Sequence, residues 1–466
     1  MERLLNYLNN YANKDWLIGH DSRQFTHLAE QLYLELTPLL QGIPPKILLA
    51  NSNPVCFLAG FIAACAHGCP VFLGNPNWVE QEWQQVFELV QPDVILGCGE
   101  WEIRETRETM ETREKLRIYS TSCSLIMIPT GGSSGTQRFA IHTWETLMAS
   151  VQGFQQYFHQ QQINSFCVLP LYHVSGLMQF MRSFTSNGKL VNLPFKTLEA
   201  GETTDIDPSE FFISLVPTQL RRLLQKPVLA NWLSQFKTVL LGGAPAWPEL
   251  FQQARDYGIR LAPTYGMTET ASQIATLKPE DFLQGYNSCG FVLPHASVTI
   301  RSPQDRELGV NQIGTITIQA KSLALGYYPE LFPARQQFQL DDLGFFDDRG
   351  YLNIVGRNSS KIITGGENVY SNEVEVAIRA THLVEDVCVI GIPDRVWGQA
   401  VTAVYVAKNS SVTIAALQAA IADKLSRYKQ PKYWIPLENL PRNSQGKVNR
   451  ERLLQEVEPH LFSYQA

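Results

Sequence analysis

The sequence predicts an α/β protein: a large N-terminal domain of layered sheets and helices (residues 1–356) and a smaller α+β C-terminal domain (residues 357–466). Three features of the chain lead there. From about Ile47, apolar runs of four to seven residues alternate with longer helical patterns, as layered sheets and helices require. From Ser297 the rhythm becomes strict alternation, in SVTIRS and GTITIQA, which marks a smaller antiparallel unit with one wet face. After GYLNIVGRNSSKIITGG (350–366) a new start follows, where VEDVCVIGIPD, QAVTAVYVAK and a helical stretch at 415–425 make a compact unit. At 466 residues the chain is too long for one ordinary core, so two or three packed units are expected.

Taken in chain order, the start MERLLNYLNN lacks the basic flank and apolar core of a secretion signal, and a cytoplasmic protein is expected. Residues 54–74 carry no Asp, Glu, Lys or Arg and are nearly long enough to span a bilayer. Pro70, His67 and two internal glycines interrupt them, so they read as a buried helix followed by a short strand. No integral membrane segment is expected. Buried strands are predicted at ILLAN (47–51), VILG (94–97), LIMIP (125–129), FCVLP (166–170), FFISLVP (211–217), KTVLLGG (237–243) and RLAPTYG (260–266). Several end in Gly, Pro, Ser or Thr, and loops at the carboxyl ends of parallel strands are where ligands bind. The charged stretch 101–117 and the Gln-rich stretch 155–162 read as solvated helix or connector. Eight scattered cysteines, with no CxxC pair, read as reduced buried thiols. With 18% charged residues and a net charge of −6 there is no general attraction to nucleic acid or anionic lipid. Any phosphate must be held by a local site.

Two stretches could build one. IPTGGSSGTQR (128–138) is an apolar strand running into Thr130, Gly131, Gly132, Ser133, Ser134, Gly135 and Thr136. Glycines permit positive φ and close backbone approach, so successive N–H groups can converge on phosphate oxygens. No Lys-Ser or Lys-Thr pair follows the last glycine, so this is not a Walker A loop. In PTYGMTETASQ (263–273) a strand end gathers Tyr265, Gly266, Thr268 and Glu269: a ring to stack on a base, a hydroxyl for phosphate, a carboxylate for Mg²⁺. Taken singly, the first is equally a surface loop and the second a polar turn.

Together they resemble the acyl-adenylate-forming superfamily of acyl- and aryl-CoA ligases, luciferases and adenylation domains. The glycine loop resembles its T-S-G-T-T-G-x-P-K pattern, and the second stretch its Y-G-x-T-E. LDDLGFFDDRGYLNIVGR (340–357), GGENVYSNEVE (365–375) and LPRNSQGKVNR (440–450) resemble its remaining motifs, in the same order. The resemblance implies a small β-barrel-like unit in the large domain and a mobile C-terminal domain turning about Ser359. It implies ATP, Mg²⁺ and coenzyme A as cofactors, a small carboxylic acid and coenzyme A as partners, and allows a homodimer. Thr130 to Thr136 with Arg138 would cradle phosphates. Tyr265, Gly266 and the Gly242–Gly243–Ala244–Pro245 loop would hold adenine. Thr268 would bond the α-phosphate, Glu269 would hold Mg²⁺, and Asp342 beside Arg357 would take the ribose. Lys447 would bridge substrate carboxylate and α-phosphate, two anions that need a cation between them. Departures stand at Gly131, Gln137, Arg138 and Leu340–Asp341, where the family has Ser, Pro, Lys and Thr-Gly.

LPLYHVSGLMQFMRSF (169–184), SLVPTQLRRLL (214–224) and YGMTETASQ resemble the o-succinylbenzoate–CoA ligases of menaquinone and phylloquinone synthesis. That resemblance makes His173 a pocket residue and Ser175, Arg182, Thr218 and Gln219 substrate contacts, with Leu177, Met178 and Phe180 packing an aromatic ring. Arg182 would grip a second carboxylate; a buried ion pair is the other reading. Another aryl- or acyl-CoA ligase, or adenylation for a carrier protein, stays open.

Overall fold

Each predicted strand falls on a strand, because short apolar runs bounded by breakers have no other way to bury both faces. The computed structural model describes residues 8, 11, 14–40, 44–97, 101–103, 124–131, 137–333, 337–358, 361–364, 367–394, 397–442, 447–450 and 452–457. One eight-stranded sheet runs in the order Leu17–Ile18, Leu190–Asn192, Asn164–Cys167, Phe211–Leu215, Thr238–Leu241, Leu261–Met267, Ser272–Thr276, Phe291–Val292. It is parallel as far as Leu261–Met267 and antiparallel beyond. The change of direction happens at the hairpin that carries Tyr265 to Glu269.

A second eight-stranded sheet has Gln137–Thr143, Leu125–Gly131, Val71–Leu73, Ile47–Leu49 and Val94–Leu96 as its consecutive middle strands. Trp101–Ile103 closes one edge as a strand antiparallel to Val94–Leu96, which corrects the reading of 101–117 as helix or connector over its first three residues. The rest of that stretch lies outside the described residues. Residues 54–74 form the expected helix and strand, Pro54–Ala66 and Val71–Leu73. The Asn53 side chain accepts from the N–H groups of Val55 and Cys56 and Pro54 occupies the first turn, so the helix begins where its free donors are met. No helix among the described residues is long and apolar enough to cross a membrane.

The alternating segments make a four-stranded antiparallel sheet, Ala296–Arg301, Gly314–Ala320, Phe338–Phe346 and Leu352–Arg357. Its two outer strands do not pair, so the barrel-like unit is an open sheet among the described residues. Immediately after Arg357 the last sheet begins, built from Lys361–Thr364, Glu367–Tyr370, Val384–Asp394, Gly398–Ala407 and Tyr433–Pro436, with its own core around Val389, Ala403 and Trp434.

The helix Val174–Thr185 shows how tightly the large domain is packed. A Cβ on Gly176 would lie 2.1 Å from the Pro170 carbonyl oxygen, a backbone atom that cannot swing aside. Gly176→Ala should therefore destabilise the protein by about 2 kcal/mol or more, as overpacking against backbone does. Thermal unfolding checks this. An unchanged midpoint would mean that the strand-to-helix turn before Gly176 yields easily.

Candidate functional site

The strand Leu261–Met267 ends in a tight turn, Thr268–Thr270, that points into a cleft of about 2190 Å³. That is roughly twice the upper range of small-ligand pockets, room for more than one large substrate. Gly266 is required here, since a Cβ would stand 2.1 Å from the Ser272 carbonyl oxygen of the returning strand. Beyond the turn, Ala271 (φ 51°) and Ser272 (φ 87°) sit in the left-handed region, a conformation that costs about 1–3 kcal/mol each in non-glycine residues. Beside the bonds within the turn, three bonds from other segments to its carbonyls help to hold it there. His142 Nε2 lies 2.8 Å from the Thr268 carbonyl oxygen. The Ala324 N–H donates to the Glu269 carbonyl at 2.7 Å, and Ser150 Oγ donates to the Ala271 carbonyl at 2.7 Å. The Glu269 carboxylate, 9% exposed, accepts from the Tyr327 hydroxyl at 2.6 Å and more weakly from Thr130 Oγ1 at 3.5 Å. Burial and the adjacent Glu269 charge both raise the Tyr327 pKa. Among the described residues no three His, Cys, Asp or Glu side chains cluster as metal ligands. A Mg²⁺ ion at Glu269 would fill its coordination with phosphate and water oxygens, which suits that ion.

The Tyr265 hydroxyl donates to Asp342 Oδ2 at 2.5 Å, and Arg357 Nε donates to Oδ1 at 3.1 Å. Asp342 and Arg357 face each other across paired strands, so the sheet register fixes the contact. Burial first, and then the Asp342 charge, push the Tyr265 pKa far up, so the phenol stays a donor. Gly242, Gly243, Ala244 and Pro245 line the same wall. Gly243 has φ 82°, and a Cβ on Gly242 would come within 2.5 Å of Thr264 Oγ1. Thr130 and Gly131 pair in register with Arg138 and Gln137, so the antiparallel ladder reaches the residues on either side of the glycine-rich segment. The Arg138 guanidinium lies 5.9 Å from the Tyr327 ring centroid. Gly132, Ser133, Ser134, Gly135 and Thr136 lie outside the described residues, as does Ser359.

His173, also on the cleft, occupies the N-cap position of the helix Val174–Thr185 without a side-chain cap bond, and its pKa is lowered to about 4, by burial first and by the Lys447 charge second. It is a neutral imidazole at pH 7. Lys447 keeps surface open to solvent but stands inside the cleft. Desolvation and Arg357 lower its pKa, while Glu269 and Asp342 oppose them. One ammonium group from the C-terminal unit is thus within electrostatic reach of His173 and of both carboxylates.

Arg182 is 2% exposed yet reaches the cleft wall. Among the described residues no carboxylate pairs with it. Its guanidinium bonds Ser272 Oγ and Gln273 Oε1, both at 3.3 Å, and stacks 4.2 Å from the Phe154 centroid. Burial lowers its pKa to about 9, which still leaves it charged at neutral pH. Ser175, Thr218 and Gln219 line the cleft, although Gln219 Oε1 is engaged with the Val216 N–H at the start of the helix Pro217–Leu224. Leu177, Met178 and Phe180 do not line it. They are fully buried in the core on other faces of their helix, which corrects the expectation that they pack a substrate ring. Tyr327 and His142 were missed by motif reading. An aromatic or imidazole in a strand carries no signal until a distant turn lands on it.

Residues 39–328 match the AMP-binding enzyme family, and residues 373–447 match the AMP-binding enzyme C-terminal domain. A 2-succinylbenzoate–CoA ligase of Enterococcus faecalis is 33% identical over 333 residues, 70% of this chain and 68% of its own length. That of Listeria monocytogenes is 31% identical over 388 residues, 79% and 77% of the two chains. The o-succinylbenzoate CoA synthetase from Bacillus subtilis, in complex with its acyl-adenylate intermediate, superposes with a TM-score of 0.80 over 96% of this chain and 97% of its own. ATP-bound MatB from Rhodopseudomonas palustris gives 0.81 over 97% and 98%. Both are 22% identical to this chain, a likeness of fold.

The buried histidines set a pH dependence. The His142 pKa is lowered from 6.5 to about 4, chiefly by burial. Between those values the unfolded chain binds more protons than the folded one, so stability falls as pH drops from about 6.5 towards 4. At pH 5 the His142 share is about 2 kcal/mol relative to pH 7.5. Denaturant unfolding of His142→Gln at both pH values should show a loss smaller by about that amount than wild type. Identical losses would mean that His142 is not buried in its neutral form.

Proposed function

The chain belongs to the AMP-binding enzyme family, and from that premise we propose that it is an ATP-dependent acid–thiol ligase acting on o-succinylbenzoate. The reaction is o-succinylbenzoate + ATP + coenzyme A to o-succinylbenzoyl-CoA + AMP + pyrophosphate. In the first step a carboxylate oxygen attacks the α-phosphorus and the bond to pyrophosphate breaks. In the second the thiol sulfur attacks the acyl carbon, the bond to AMP breaks, and the thiol proton leaves to solvent. The observation that carries the ligase reading is Lys447, a cation lining the cleft whose charge reaches His173 and which itself feels Glu269 and Asp342. There one positive charge serves both a substrate carboxylate and an α-phosphate.

In this reading Asp342, oriented by Tyr265 and Arg357, takes the ribose hydroxyls with its remaining lone pairs. The adenine lies between Tyr265 with Gly266 and the 242–245 loop. Thr268 meets the α-phosphate, Glu269 the Mg²⁺ ion, and residues Thr130 to Thr136 with Arg138 the outer phosphates. The C-terminal unit begins at Arg357 and is the part that reorients to admit pantetheine. Ser175, Thr218 and Gln219 offer hydrogen bonds to the acid. Arg182 supports a second carboxylate on the substrate, since a buried guanidinium without an anionic partner is a costly arrangement unless a ligand supplies one. The ligases of Enterococcus and Listeria, by their names, act on such a dicarboxylate. We place the reaction in the cytoplasm, where ATP and coenzyme A are at hand.

Two substitutions separate the parts. Lys447→Ala should lower acyl-adenylate formation by about 10²-fold or more, while thioester formation from a supplied acyl-adenylate changes far less. Equal loss in both half-reactions would remove Lys447 from between the anions. Arg182→Ala should raise KM for o-succinylbenzoate by tens-fold or more, about 2–4 kcal/mol, and leave KM for ATP nearly unchanged. If benzoate, which has no second carboxylate, suffers as badly, Arg182 holds Ser272 and Gln273 and not the substrate.

A further inference from the structure

We infer that His142 is a positioning residue for adenylation: its Nε2–H holds the Thr268 carbonyl and so sets the turn that presents Thr268 and Glu269 to the nucleotide. The inference rests on the ligase reading above and adds a residue outside its motifs. His142 sits one residue from the end of the strand Gln137–Thr143, fully buried, paired in register with Ile126. A polar ring in that place has to satisfy both nitrogens, because an unmet buried donor or acceptor costs about 1–3 kcal/mol. It does so with one bond to a distant turn and one to the helix that follows its own strand. Nε2 is 2.8 Å from the Thr268 oxygen and Nδ1 is 3.0 Å from Thr146 Oγ1. A carbonyl oxygen only accepts, so Nε2 carries the hydrogen and Nδ1 is the acceptor facing the Thr146 hydroxyl. The ring is neutral, since burial lowers its pKa.

The Thr268 carbonyl belongs to the peptide that leads directly into Glu269. From there the chain turns through Ala271 and Ser272, both at positive φ. A turn strained in this way keeps its shape only while its surroundings over-determine it. Ala324 holds the Glu269 carbonyl and Ser150 the Ala271 carbonyl, and both anchor the later part of the turn. His142 is the side chain that bonds its first residue, the one whose hydroxyl is to meet the α-phosphate. The Ala271 N–H also donates to that carbonyl, at 3.1 Å, but from within the turn itself, so losing the His142 donor unties the first peptide from the neighbouring sheet and lets the hydroxyl and the Glu269 carboxylate shift together. A packed core histidine with no such task would influence stability alone.

The full-length protein tests this with His142→Leu, which removes the donor, and His142→Gln, whose amide restores one. With His142→Leu, ATP–pyrophosphate exchange should fall about 10- to 100-fold and the apparent KM for Mg·ATP should rise, the scale of a small displacement at a reacting centre. Thioester formation from supplied acyl-adenylate should stay within about threefold, because phosphate positioning no longer limits that step. His142→Gln should recover most of the exchange rate. Equal losses in both half-reactions, no loss at all, or a Gln variant as poor as Leu would overturn the inference. The wild-type protein, labelled with ¹⁵N-histidine, gives an answer that needs no variant to fold. At pH 7 His142 should show a neutral Nε2–H tautomer whose signals shift when Mg·ATP is added. An Nδ1–H tautomer, or signals blind to Mg·ATP, would overturn it. If wild-type protein shows no exchange with any acid, the ligase reading fails, and the labelled-histidine result alone then decides the place of His142.

Discussion

The hydrogen bond from the Tyr265 hydroxyl to Asp342 joins the polar edges of two sheets that already share a core, with Ile274 and Ala275 packed against Ile300, Ile316, Ile318 and Leu352. Tyr265 rides on the last parallel strand of the large sheet, and Asp342 on the antiparallel sheet that follows it. Arg357, across the ladder from Asp342, bonds the same carboxylate from the last residue of its strand, where the C-terminal unit begins. The position of Lys447 is therefore referred to the same carboxylate as the nucleotide wall. A two-oxygen acceptor shared by a phenol and a guanidinium is satisfied without being saturated, which leaves lone pairs for a sugar.

The cleft holds groups of opposite character. Glu269 and Asp342 are acidic, suited to a metal-bound phosphate or to hydroxyl donors. His173 is neutral, and Arg182 bonds Ser272 and Gln273. The Lys447 pKa responds to both characters: burial and Arg357 press it down, and the carboxylates hold it up. The ammonium has competing demands on its charge. Such a group is well placed to follow charge as it shifts from carboxylate to phosphate during a reaction.

Much of this was legible in the sequence, for identifiable reasons. Strand positions could be read because runs such as FFISL and TVLL are buried on both faces and bounded by breakers. The turn at Thr268 was legible because Gly266 and the hydroxyl-carboxylate cluster leave few other uses for that spacing. What the sequence concealed depended on which way a side chain turns. Leu177, Met178 and Phe180 share a helix with Ser175 and Arg182, and only packing decides that the apolar residues face the core. Trp101–Ile103 became a strand because an apolar neighbour at Val94–Leu96 offered an open edge, despite a strongly charged continuation. His142 and Tyr327 gain their roles from chain segments more than fifty residues away, contacts no local pattern encodes.

The central claim is that one cleft makes an acyl-adenylate of a dicarboxylic aromatic acid and passes the acyl group to coenzyme A. The most direct measurement is a product assay of the intact protein with ATP, Mg²⁺, coenzyme A and o-succinylbenzoate, read by mass spectrometry beside a parallel reaction with benzoate. The account predicts AMP, pyrophosphate and o-succinylbenzoyl-CoA, at a kcat/KM well above that for benzoate. Formation of ADP and phosphate, AMP without any thioester, or a clear preference for the monocarboxylic acid would contradict it.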